Sequence, residues 1–161
     1  MAMQSPVIVS IAYSPNVGGV ETHLDDFVRF LQQKSFSSRV LTYQPLMMAK
    51  TLPMVEKYNQ TTIYRIPIFR GLFYKLVKYP ILEFLYLLPG LFVVLPMLLV
   101  TTKPKIIHAH GLVAGAVSVF WSKIFGLKSI ISTHSIYNFP KSGIYTSYIK
   151  TILENADQIL C

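Results

Sequence analysis

Two hydrophobic periods alternate along this chain. Residues 7–12 form a short, nearly continuous apolar run that reads as a buried strand. Val20, Leu24, Phe27, Val28 and Leu31 then recur at helical spacing and predict one apolar helix face. After the break at Ser37-Ser38, residues 39–43 predict a second strand. Residues 45–59 hold neither period and read as loop with a short helix. Residues 61–66 alternate, are rich in β-branched side chains and predict a third strand, closed by Pro67. Past Pro104, residues 106–110 read as a fourth strand turned by Gly111, and residues 113–125 as a small-residue helix closed by Gly126. Residues 129–133 predict a fifth strand, 135–143 a loop, 145–155 a helix, and 158–161 the opening of a sixth strand.

Strands that alternate with helices imply an α/β domain, a parallel sheet with helices on both faces. With the common doubly wound order 3-2-1-4-5-6, ligands bind beyond the carboxyl ends of strands one and four, where strand order reverses. Three features fall near that point: Gly18-Gly19 after strand one, His108 to Gly111 around the end of strand four, and Thr133-His134 after strand five. His108 and His110 are expected on opposite faces of their strand, His108 as a core histidine with its own partner. Because the chain stops as a sixth strand opens, the 161 residues are expected to be the first half of something longer.

Residues 70–100 must carry the chain back across the sheet. Residues 84–102 hold no charge, close to the roughly 20 residues of a membrane span. Pro89 and Pro96 interrupt the run, Gly90 weakens it and Glu83 sits at its edge, so a kinked crossover helix is the expectation. One face should enter the core. The other is too apolar for water, and Arg70, Lys75 and Lys78 precede it, a pairing that suits an anionic membrane surface, with burial against a partner chain or against further parts of the protein as the alternative.

Charge sharpens that reading. Fifteen Lys and Arg against seven Asp and Glu leave +8, although only 14% of residues are charged. The balance suits an anionic partner. Nucleic acid is set aside, because the cations are dispersed and no nucleic-acid-binding motif is present. The lone Cys161 leaves no internal disulfide and fits a reducing, cytoplasmic compartment, and residues 1–6 lack the basic region of a signal peptide.

The chemistry is expected at the turn Ser14-Pro15-Asn16-Val17-Gly18-Gly19. Glycine tolerates positive φ and keeps no side chain between backbone and ligand. The first amides of a helix lack intrahelical partners and carry the positive dipole end, so this turn is a candidate phosphate cradle, with a tight turn that binds nothing as the alternative. No GxGxxG, Walker A, GxSxG or HExxH motif is present, and no acidic residue closes strand two. Dehydrogenase, nucleotide-hydrolase, serine-hydrolase and zinc-protease readings therefore fail, and no metal or cofactor is expected.

Residues 13–23, Tyr-Ser-Pro-Asn-Val-Gly-Gly-Val-Glu-Thr-His, closely resemble the opening motif of the family 4 retaining glycosyltransferases of GT-B fold. Residues 104–111, Ser132-Thr133-His134-Ser135 and residues 156–161 resemble three further motifs of that family, in the same order. The resemblance extends, less specifically, to lipid-acting members. It implies a Rossmann-like N-terminal half that holds the acceptor, with a C-terminal nucleotide-sugar domain absent from this chain. It implies sugar transfer from a nucleotide sugar to an acceptor, a membrane lipid or lipid-linked glycan. By resemblance Gly18 and Gly19 lie near the donor diphosphate and His134 beside the transferred sugar as the catalytic candidate, with Glu21 and His110 lining the cleft. A module that keeps the fold and only binds membrane or protein is the alternative.

Overall fold

The computed structural model describes residues 5–46, 48, 50–134 and 143–160. The elements run β1 (Val7–Ser10), α1 (Gly19–Gln33), β2 (Ser38–Tyr43), β3 (Val55–Tyr58), β4 (Thr61–Ile66), α2 (Arg70–Leu76), α3 (Pro80–Thr102), β5 (Ile106–His110), α4 (Leu112–Phe125), β6 (Lys128–Ser132), α5 (Ile144–Asn155) and β7 (Gln158–Leu160). The strands form one sheet in the order β3-β4-β2-β1-β5-β6-β7. All neighbours pair in parallel except β3, which is antiparallel to β4. The expected doubly wound order is present, and β1 and β5 are the neighbours at its reversal. Most of the expected loop at 135–143, and Cys161, lie outside the described residues.

β3 corrects the loop-and-helix reading of residues 45–59. Residues 55–58 are mostly exposed and carry Glu56 and Lys57, so no apolar alternation marks them. Asn59, at φ 51°, starts the two-residue turn that folds β3 back on β4. Asn is among the few residues that accept that backbone, which makes a tight hairpin possible here. The result is a charged edge strand on an otherwise parallel sheet.

The two faces are covered unequally. α1 lays Leu24 and Val28 on Ile8, Val40 and Ile63. On the other face Leu87, Leu91, Leu95 and Leu99 of α3 and Val117 of α4 pack on Val7, Val9, Leu41, Ile107 and Ala109. α5 extends that layer through Ile152, against Ala116, Val119 and Ile131.

α3 runs as one 23-residue helix through both internal prolines. Proline cannot donate to the carbonyl four residues earlier, so Pro96 frees the carbonyl of Phe92. Trp121 Nε1 of α4 donates to that oxygen at 3.0 Å. Gly90 has a packing reason: a Cβ there would lie 3.0 Å from Cε1 of Tyr43. The Tyr43 hydroxyl is itself tied to the carbonyl of Leu87, so the ring cannot swing away.

Candidate active site

The turn after β1 is closed by Asn16, whose amide and side-chain Nδ2 both donate to the carbonyl of Tyr13, at 3.1 and 2.9 Å. Helix α1 follows at once. Its first internal bond runs from the Thr22 amide to the Gly18 carbonyl at 3.0 Å, and the Thr22 hydroxyl reinforces it at 2.9 Å. The amides of residues 19–21 therefore stand outside the helical ladder, at the positive end of the dipole.

Gly18 is extended, at φ −178°, and Gly19 is not among the positive-φ residues. The glycines thus contribute the missing side chain and not the left-handed backbone anticipated from the sequence. A Cβ on Gly19 would meet no atom within 4 Å, so the space beside it is open. A Cβ on Gly18 would meet the carboxylate of Glu21, which curls back over the turn. Glu21 places its charge at the helix start, on the end of a flexible side chain.

The histidines overturn one expectation. Residues two apart in a strand share a face, and the rings of His108 and His110 lie 4.4 Å apart between centroids. The pairing register sets Ile8 beside His108, and Ser10 and Ser132 on either side of His110, so all of them point toward α1. Two side chains on one face of a strand could approach a single ion. Among the described residues, however, no group of three His, Cys, Asp or Glu is placed to hold a metal ion.

His108 is buried, as expected of a core histidine. Its Nε2 pairs with Ser132 Oγ at 2.8 Å, and Phe27 of α1 meets it edge-on with centroids 5.2 Å apart. Burial pushes its pKa down to about 4. His110 Nδ1 lies 2.8 Å from His134 Nε2, and burial followed by the neighbouring histidines brings His110 down to about 3. His134, half-buried just past β6, is also lowered, by desolvation and then by His23. All three of these rings are uncharged at neutral pH.

Sequence reasoning missed His23 as a member of this cluster. Its ring lies 5.2 Å from His134 and 6.2 Å from His110. The available signal was helical phase: Gly19, His23 and Phe27 recur every four residues and share one stripe of α1. The structure thus gathers Gly18, Gly19, Glu21, His110 and His134 at the carboxyl ends of β1, β5 and β6. Arg70, Lys75 and Lys78 lie apart from them, on α2 and its exit toward α3. The Arg70 guanidinium is held by the carbonyls of Pro45 and Lys50 at 2.7 and 2.8 Å.

This fold occurs in larger proteins. Sucrose-phosphate synthase of Thermosynechococcus elongatus superposes with a TM-score of 0.67 at 16% identity, covering 97% of this chain and 42% of that one. MurG of Acinetobacter baumannii gives 0.51 at 15% identity, over 97% of this chain and 40% of that one. In sequence, one component of the human phosphatidylinositol N-acetylglucosaminyltransferase is 24% identical over 169 residues, covering 96% of this chain and 30% of the relative. The chain spans less than half the length of each of these proteins. The family model for Glycosyltransferase Family 4 matches residues 17–161, and since that stretch takes in the start of α1, the histidines of β5 and His134, this chain belongs to that family.

Proposed function

We propose that this chain is the acceptor-side half of a retaining hexosyltransferase, which moves a sugar from a nucleotide sugar to a membrane lipid or lipid-linked glycan. In this reading the nucleotide-holding domain lies outside the 161 residues, and the chain alone does not turn over. The protein works peripherally on the cytoplasmic face of a membrane. The observation that carries the proposal is the meeting of a helix start, open beside Gly19, with the His110–His134 pair at the sheet's reversal point. Glycosyl transfer leaves charge on the departing phosphate. Amides already aimed there stabilise the transition state more than the ground state. His134 stands beside the transferred sugar, Glu21 and His110 line the cleft, and Arg70, Lys75 and Lys78 face the lipid headgroups. The lipid acceptor draws support from the name of the human relative and from the apolar outer side of α3.

The test uses the complete protein, a panel of labelled nucleotide sugars and a lipid extract as acceptor. His134→Ala should lower transfer ~100-fold or more while the fold survives. Transfer at the unaltered rate in that variant removes His134 from the site. Absence of transfer from every donor by the unaltered protein points instead to a module that keeps the fold without the chemistry.

A further inference from the structure

We infer that His110 is a positioning residue for His134: it donates its Nδ1–H to His134 Nε2, which confines the proton of His134 to Nδ1 and makes that N–H the group His134 offers to a ligand.

The 2.8 Å separation between the two nitrogens admits one proton between the rings. Both rings are neutral at pH 7, so each carries one proton and one lone pair. The choice between the two arrangements is set by the far side of His110. That residue is 2% exposed, and its Nε2 is buried with no partner among the described residues. A proton on Nε2 would be a buried donor with nothing to accept it, which folded proteins rarely tolerate. An unpaired lone pair there is the lesser penalty. The proton of His110 therefore sits on Nδ1 and points at His134 Nε2. His134 must accept with that nitrogen, so its own proton is on Nδ1.

The surroundings hold this arrangement. The two ring planes differ by 8°. The amide of Thr133 is bonded to the Leu160 carbonyl at 2.8 Å and that of Gly111 to the Ser132 carbonyl at 2.9 Å, which fixes the backbone beside both rings. His23 packs beside both rings, its centroid 5.2 Å from that of His134 and 6.2 Å from that of His110. His108 cannot substitute, because its Nε2 is taken up by Ser132. A neutral N–H donor suits an oxygen acceptor, a sugar hydroxyl or a phosphate oxygen. It does not suit a general base, whose lone pair would have to face the ligand. The catalytic consequence rests on the proposed glycosyl transfer; the proton assignment does not.

Two measurements separate these claims. Long-range proton–nitrogen spectra of the histidine-labelled chain at pH 7.5 should show His110 and His134 both protonated on Nδ1. An Nε2–H signature for His134 overturns the inference, whatever the protein catalyses. His110→Asn keeps an amide donor near the position of Nδ1, whereas His110→Ala removes it. The Nδ1–H signature of His134 should persist in the Asn variant and disappear in the Ala variant. In the complete protein, His110→Ala should lose ~10-fold or more in kcat with KM little changed, and His110→Asn should recover much of it. If His134→Ala abolishes transfer and His110→Ala leaves it intact, the positioning role is wrong. If neither variant affects transfer, the functional reading fails while the proton assignment stands on its spectrum.

Discussion

His108 and His110 are uncharged in the folded chain because burial withholds water from the imidazolium form. An unfolded histidine titrates near ~6.5. Folded values of about 4 and about 3 mean that, below pH ~6.5, the unfolded chain binds more protons than the folded one. The associated stability is complete above that value and is lost as the pH falls toward 4, with a slope of up to ~1.4 kcal/mol per pH unit for each ring. Urea midpoints measured from pH 7.5 down to 5 should fall accordingly. His108→Gln, which can still reach Ser132, should flatten the slope; a level profile in the unaltered protein refutes the burial argument. The glycines make a different demand. With open space around Gly19, Gly19→Val should keep its unfolding stability, within ~0.5 kcal/mol, while its side chain enters the volume beside the helix start. Donor affinity and transfer in the complete protein should then drop together. An unchanged affinity would show that no donor group approaches there.

Elements meet through contacts that one-dimensional pattern does not announce. The Phe92 carbonyl, freed by Pro96, is satisfied by Trp121 from 29 positions along the chain. Trp121→Phe leaves that oxygen unpaired and should cost ~1–3 kcal/mol. Pro96→Ala restores a helical N–H to the same oxygen, so the cost of Trp121→Phe should shrink in that background. Additive losses in a double-mutant cycle would refute the link. The alternation of strands and helices, the reversal between β1 and β5 and the inward side of α3 were legible, because each rests on a run of residues with one period. β3 was not: Glu56 and Lys57 face solvent on an edge, and only Asn59 hinted at the turn. At the site, the helix start and His134 were legible from the turn after β1 and from the residues just past β6. His23 was not, because its place depends on the phase of α1 against the sheet. The facing of His108 and His110 was available from the strand period and was misread.

At the scale of the whole molecule, the sheet sets how α3 can meet a membrane. Residues 81–102 are long and apolar enough to cross one, with a mean hydropathy of 2.3. Leu87, Leu91 and Leu95, however, are fully buried against the sheet, and a span would strip the core of its cover. The opposite side of the helix carries Leu85, Val93, Met97 and Val100 at spacings of three, four and eight, each more than half exposed. Phe92 meets Phe120 of α4 with centroids 5.0 Å apart, so the apolar surface continues to Ile124. Exposed cations stand at both ends of α3, Lys75 and Lys78 before it and Lys103 and Lys105 after it. At 1.5 Å per residue those ends are about 35 Å apart, so a spanning helix would put cations in opposite leaflets. A helix lying in the interface lets both ends reach anionic headgroups of one leaflet while the stripe between them enters the acyl boundary. Vesicle flotation should therefore favour anionic over neutral lipid and weaken as salt rises from 0.05 to ~0.5 M. Val93→Asp with Met97→Asp should abolish binding at any salt, whereas Lys75→Glu with Lys78→Glu should remove only the preference for anionic lipid. Equal, salt-independent binding to neutral vesicles would discard the role of the lysines, and binding that survives both aspartates would discard the apolar stripe.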